Sequence, residues 1–178
     1  VRPYQPAGLW KEIASDQYEQ DHGSRLYRRS MYTFWNRTVP PPTMTTFDAT
    51  SRELCVMYRS QTNTPLQALA LLNDVTYVEA ARGLATRLMV EGGAVPRQRL
   101  QWAFQVVLAR GPSEAEQAIL LARFKEVLGY YGEHEKEATQ LISVGESTVP
   151  KGLDRAELAA YTVLASLLLN LDETVMRE

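Results

Sequence analysis

The sequence predicts a mainly α-helical fold with about five to seven helices around a central helix. Apolar residues recur at intervals of three or four positions in several separate segments, which is the period of an amphipathic helix. Two of these segments open with helix-capping signals, and another has proline in its first turn, where the missing N–H costs nothing. The chain of 178 residues is 45% hydrophobic and 22% charged. One folded domain over residues 1–178 is therefore expected.

The first third of the chain is the least regular. In residues 27–38 the apolar side chains fit helical spacing better than the alternation of a strand, so helix is preferred to strand there. Three prolines at 40–42 end that segment. Residues 39–64 are rich in proline and threonine, and they are predicted to form a long irregular connection. Irregular segments of this length in a domain are often functional.

The predicted central helix begins at Pro65. Thr64 is placed to cap it, and apolar residues then step by three or four positions as far as Leu88. A second apolar stripe makes the first half of this helix apolar nearly all round, which indicates burial. Asn73 lies within the first stripe, so we expect its side chain to be buried and hydrogen-bonded.

Three further helices are predicted in the second half. The first covers residues 100–107 and closes at Gly111 and Pro112. The second opens at the capping box of residues 113–116, and its end is predicted at Gly132 in a left-handed conformation. The third opens in the same way at Asp154 and continues along an apolar stripe as far as residue 169.

Composition excludes several classes of site. The net charge of −2 gives no overall field for nucleic acid, and no apolar run is long enough to span a bilayer. One cysteine excludes a disulfide framework within the chain and a zinc site with several thiolates. Neither histidine belongs to a haem-attachment motif, and no metal or cofactor site is predicted. Cys55 has apolar neighbours, so a buried and inert thiol is expected.

Charge is nevertheless polarised along the chain. Residues 25–59 hold six arginines and two acidic residues, whereas residues 111–178 hold six basic and twelve acidic residues. Arginine binds carboxylates and sulfates through paired hydrogen bonds, and Tyr32, Trp35 or Phe47 could stack on sugar rings. The alternative is that these arginines pair with the acidic second half while the aromatic rings form core. The six arginines are Arg25, Arg28, Arg29, Arg37, Arg52 and Arg59.

Polar residues that could serve an enzyme recur in the irregular connection and just after it. Asp48 with Glu53 or Asp74 could supply an acid and a base, and Arg52 could hold a substrate anion. The alternative is that these groups cap turns and satisfy loop backbone. The candidate binding residues from both patterns are Arg28, Arg29, Tyr32, Trp35, Arg37, Asp48, Arg52, Asn63 and Asn73.

Five motifs point to a known family. The run YRRSMYTFWNRTVPPP at 27–42 is followed by TFDA at 46–49, SRELC at 51–55, TNTPLQALALLND at 62–74 and ASLLLNLDET at 165–174. Together they resemble a planctomycete surface-protein domain of unknown function. The resemblance implies the C-terminal domain of a large exported protein, located in the periplasm or at the cell surface. It also implies upstream domains, often including a cytochrome-c-like haem domain, but no catalytic residues.

Three functional hypotheses follow from these observations. The first is a non-catalytic binding or scaffold domain that engages acidic or sulfated polysaccharide, or the upstream domains of the same polypeptide. The second is a polysaccharide hydrolase or lyase whose site is completed by an upstream part. The third is a docking module for the cytochrome-c-like domain. A glycan binder should expose aromatic rings beside unpaired arginines, whereas an enzyme should gather the polar residues around a carboxylate with a perturbed pKa.

Overall fold

The helical class predicted from the sequence is confirmed. The computed structural model describes residues 1–6, 8–13, 18–36 and 38–176, and these contain nine α-helices and no strand. None of the described helices is both long and apolar enough to cross a membrane. The helices are α1 (Leu9–Ile13), α2 (Pro42–Thr46), α3 (Pro65–Asn73), α4 (Val75–Glu91), α5 (Pro96–Leu108), α6 (Glu114–Glu133), α7 (Glu135–Ile142), α8 (Arg155–Leu169) and α9 (Asp172–Val175).

The chain forms two compact units, Val1–Ala70 and Leu71–Glu178. In the second unit α8 is the most buried helix, and α4, α5, α6 and α7 pack around it. Three alanines of α8, at 159, 160 and 165, are fully buried, and their small side chains allow the neighbouring helices to approach closely. Tyr161 of α8 stacks on Phe124 of α6, with 4.4 Å between ring centroids.

The helices predicted in the second half are present, and their capping signals act as expected. The Ser113 hydroxyl accepts from the Glu116 N–H at 3.2 Å, and the Glu116 carboxylate accepts from the Ser113 N–H at 2.7 Å. Asp154 likewise accepts from the N–H three residues on, at 2.7 Å. The predicted stop at Gly132 is wrong, because α6 continues through Gly132 and ends at Glu133.

The prediction of one buried helix from Pro65 to Leu88 is also wrong. The chain leaves the helical path after Asn73, where the Asp74 carboxylate accepts from the Thr76 N–H at 2.8 Å and caps α4. A short acidic side chain that bonds nearby backbone in this way competes with helix continuation. Asn73, expected to be buried, is exposed at the end of α3. Leucines 66, 69 and 72 of α3 are 60%, 58% and 41% exposed.

Residues 27–38 do not form the predicted α-helix. The described part of this segment contains one short 3₁₀ helix, Ser30–Tyr32, preceded in the chain by another at Gly23–Arg25. The Phe34 N–H donates to the Val1 carbonyl at 2.7 Å, and the Phe34 ring packs against buried Trp10 at 5.7 Å. The Phe34 N–H and the Phe34 ring thus contact residues that are distant in the sequence, instead of contributing to a local helix.

Residues 39–64 are largely irregular, as predicted. The exception is α2, which begins at Pro42, so the last proline of the triple run starts a helix as well as ending the previous segment. Cys55, expected to be buried, is exposed. Its neighbours Leu54 and Val56 are 79% and 56% exposed, so the apolar character of this stretch does not indicate burial.

A buried ion pair fixes the loop after α7 onto α4. Arg82 and Glu79 are 2% and 5% exposed and lie 3.4 Å apart. The Arg82 guanidinium donates to the carbonyls of Ile142 and Ser147, and Glu79 accepts from the Ser147 N–H at 2.5 Å. The turn passes so close that a Cβ at Gly145 would lie 2.5 Å from a Glu79 carboxylate oxygen. The network satisfies both charges where water cannot reach them.

Candidate functional site

Arginines and tyrosines share an exposed surface around the two 3₁₀ helices. This arginine–tyrosine surface consists of Arg25, Tyr27, Arg28, Arg29 and Tyr32, all of which are exposed. The tyrosine rings are each 55% exposed. Short 3₁₀ turns bury little side-chain area because they lack the continuous face of an α-helix. The local fold therefore presents these groups to solvent.

Two adjoining clefts border this surface. The smaller, of about 280 Å³, is lined by Val1, Asp21, Arg25 and Arg28. The larger, of about 460 Å³, shares Asp21 and Arg25 and continues along Arg2. Asp21 accepts from the Arg2 N–H at 2.9 Å and lies 3.8 Å from the Arg25 guanidinium. The backbone hydrogen bond, together with the nearby positive charges, lowers the pKa of Asp21. Asp21 is thus charged and positions Arg25 at the cleft.

The arginine–tyrosine surface keeps unpaired positive charge. In the described ranges neither Arg28 nor Arg29 belongs to an ion pair. Ion-paired acidic residues of the second unit bind arginines of the same unit, as Glu157 does with Arg99 at 2.5 Å.

Trp35 is less open than the tyrosines. The Arg52 guanidinium lies over its ring, 4.8 Å from the centroid, and the Trp35 side chain is half-buried. An arginine on an aromatic face is a favourable cation–π contact. This face of Trp35 is occupied, so the Tyr32 ring, which is 55% exposed, is the more open stacking surface.

Asp48 closes a loop through the hydrogen bonds of its carboxylate to Thr62. Its carboxylate accepts from the Thr62 N–H at 2.8 Å and from the Thr62 hydroxyl at 2.8 and 3.0 Å. Gln67, which is 1% exposed, donates to the Thr46 carbonyl at 2.9 Å below it. The Thr62 hydrogen bonds lower the pKa of Asp48. A general acid needs a raised pKa, so Asp48 is poorly suited to that one role.

The remaining candidates are dispersed. Asn63 is exposed beside Thr62 at the base of the same loop. Asn73 belongs to the second unit, and Arg37 lies outside the described residues. Within the described ranges no three His, Cys, Asp or Glu side chains are grouped so that they could hold a metal ion. Arg28, Arg29 and Tyr32 are neighbours in the sequence and are all exposed, whereas the structure links Asp48 to Thr62 and Arg52 to Trp35.

Sequence reasoning missed two members of the site. Asp21 was not a candidate, although its position four residues before Arg25 is a spacing that favours an ion pair. Tyr27 was treated as part of a helix face, because residues 27–38 have helical spacing. No local signal shows that this ring is exposed, since its exposure depends on the segment being non-helical.

Comparison with known proteins places the chain in a family. A family model described as PSD1, a protein of unknown function (DUF1553), matches residues 1–124. That range contains the whole arginine–tyrosine surface and all nine candidate residues. No curated protein and no solved structure matches the chain. Because the match covers more than half of its length, the chain belongs to the PSD1 family of proteins of unknown function (DUF1553).

Proposed function

We propose that the chain is a non-catalytic binding module that holds acidic or sulfated polysaccharide on its arginine–tyrosine surface. The observation that carries the proposal is the exposure of Arg28 and Arg29, without ion-pair partners in the described ranges, beside two tyrosine rings that are each 55% exposed. Such ligands lie outside cells, so the proposal includes export of the protein.

The chemistry of the surface suits this class of ligand. A guanidinium group offers two parallel N–H donors, which match the oxygens of a carboxylate or a sulfate. The exposed faces of Tyr27 and Tyr32 can pack on the C–H faces of sugar rings. Because the groups are solvent-exposed, salt should weaken the interaction strongly.

The test is the affinity for dextran sulfate and polygalacturonate, with neutral dextran as the uncharged reference. The double variant Arg28→Ala, Arg29→Ala should bind about tenfold more weakly, because two exposed ion pairs of about 0.7 kcal/mol each together contribute about 1.4 kcal/mol. Arg97→Ala, Arg155→Ala is the matched control. It removes the same charge from two exposed arginines of the second unit that have no ion pair in the described residues. Equal affinities for the two double variants would refute the assignment.

A second comparison separates sugar recognition from simple charge attraction. Polyvinyl sulfate carries sulfates but no sugar rings. Tyr32→Ser should weaken binding to dextran sulfate and leave binding to polyvinyl sulfate unchanged, because the tyrosine ring contributes stacking and no charge. An equal loss for both polymers would show that the surface does not recognise sugar.

A further inference from the structure

The loop between Asp48 and Thr62 has a closed base and an apolar tip. The base is the hydrogen bonding of the Asp48 carboxylate to Thr62. Arg59 reinforces it by donating to the carbonyls of Phe47 at 2.7 Å and Asp48 at 2.9 Å. Asp48 and Arg52 adopt left-handed backbone, with φ of 57° and 63°, which non-glycine residues keep only when surrounding contacts hold them. The loop therefore has a defined shape.

Its tip exposes almost only apolar surface. Leu54, Val56, Met57 and Tyr58 are 79%, 56%, 102% and 83% exposed, and Cys55 between them is exposed as well. Single exposed apolar residues are ordinary, but consecutive ones in one loop mark an interaction site. Exposing this apolar surface to water is unfavourable, and transfer into an apolar environment would remove that cost.

The size of the tip argues against a protein occupant. A stable protein–protein interface needs about 20–30 residues on each side, and a second copy of this loop would supply only another tip of the same kind. A lipid surface has no such requirement, because its fluid interface accepts a protruding group of any shape. Binding there grows with the apolar area inserted and with attraction to anionic headgroups.

The charge around the tip complements an anionic lipid surface. Arg52 is held by the neutral Trp35 ring and Arg59 by backbone carbonyls, so neither binds a carboxylate directly. Glu53 is the one acidic residue between them in the sequence. A basic residue near an anionic membrane surface strengthens binding there.

We propose that the loop of residues 49–61 is a lipid-insertion loop: its tip Leu54–Tyr58 enters the interface of an anionic bilayer while Arg52 and Arg59 face the headgroups. This proposal goes beyond polysaccharide binding and rests on a different segment. The closed base holds the tip in place before binding, so little conformational entropy is lost on insertion.

The single cysteine of the chain provides a direct probe. An environment-sensitive fluorophore attached to Cys55 should shift its emission to the blue with vesicles of phosphatidylcholine and phosphatidylglycerol. The label should also become protected from iodide quenching, and pure phosphatidylcholine vesicles should give a much smaller change. The matched control carries the same label on Cys55→Ser, Ile119→Cys, since Ile119 in α6 is 68% exposed. Absence of a shift at Cys55, or equal shifts at both positions, would overturn the proposal.

The second test is vesicle co-sedimentation of unlabelled protein. The double variant Leu54→Ser, Met57→Ser should bind the anionic vesicles about tenfold or more weakly, because its tip has less apolar surface that can enter the bilayer. Val90→Ser, Ile119→Ser, which alters two residues 70% and 68% exposed in the second unit, should bind as the unaltered chain does. Equal vesicle binding by both double variants would contradict the proposal.

Two readouts separate this proposal from the one on polysaccharide. The tip variant should keep its affinity for dextran sulfate, since the arginine–tyrosine surface is unaltered. A fluorescence shift at Cys55 that depends on protein concentration and needs no vesicles would mean that the tip binds a second copy, and would overturn the lipid assignment.

Discussion

Gly145→Ala is the substitution whose cost the structure specifies most closely. Gly145 has a φ of +86°, and a Cβ built there lies 2.5 and 2.7 Å from the two carboxylate oxygens of Glu79. Glu79 is 5% exposed and is held by Arg82 and by the Ser147 N–H. These partners hold the carboxylate in place, so an added methyl group must displace it from them.

Two costs add at this position. A left-handed backbone costs an alanine about 1 kcal/mol relative to glycine. Displacing Glu79 leaves Arg82 without its buried counter-charge, and breaking a buried pair costs about 3 kcal/mol or more. We therefore expect the free energy of unfolding to fall by about 4 kcal/mol in total. For a chain of this size that corresponds to a drop of roughly 8–16 °C in the thermal midpoint.

The assay is thermal and urea unfolding followed by circular dichroism, with Gly152→Ala as the matched control. Gly152 has nearly the same φ, +88°, but a Cβ there would have no atom within 4 Å. The control should therefore lose only the backbone cost, about 1 kcal/mol. If both variants lose the same stability, the contact with Glu79 contributes nothing, and the argument from the buried pair is refuted.

Two further predictions concern a carboxylate and the loop base. Glu116 accepts two hydrogen bonds from Arg110, and these lower its pKa from 4.5 to about 2. The pKa of Glu116 is lower in the folded chain than in the unfolded chain. The contribution of this carboxylate to the stability of the fold is therefore present above pH 4.5 and is lost as the pH falls towards 2. Over that window the thermal midpoint of Glu116→Gln should change less than that of the unaltered chain; parallel curves would contradict this. Thr62→Val removes the hydroxyl that bonds Asp48 at 2.8 Å, so trypsin should cleave at Arg59 several times faster, whereas Thr50→Val should match the unaltered chain. Equal cleavage rates in all three proteins would show that this hydrogen bond does not close the loop.

The best-predicted parts of the fold are those specified by neighbouring residues. The capping box at Ser113, the N-cap at Asp154 and the apolar period behind each placed α6 and α8, because both signals act within one or two turns of helix. The same apolar period did not predict the break between α3 and α4 at Asp74. The apolar spacing continues through this residue, although its side chain caps the next helix. A regular pattern cannot show that one of its polar members bonds the backbone instead of extending the helix.

In the candidate site, too, features set by neighbouring residues could be predicted, whereas those set by distant residues could not. Adjacent arginines and tyrosines identified the segment around Arg28, and the structure leaves these groups exposed. The loss of Trp35 as an open ring could not be predicted, because Arg52 reaches it from seventeen positions away in the sequence. The same holds for Cys55: apolar neighbours indicate burial only if another segment covers them, and none of the described residues does so.

Helix class, caps and the distribution of charge were thus available from residues that lie close together in the chain. Tertiary structure alone decided that Glu79 and Arg82, which look like an ordinary exposed pair one turn apart on a helix, are buried beneath the loop that contains Ser147. The reason is physical: capping and periodicity depend on contacts within a few residues, whereas burial depends on which distant segment packs on top. Only the folded chain brings residue 147 onto residue 79.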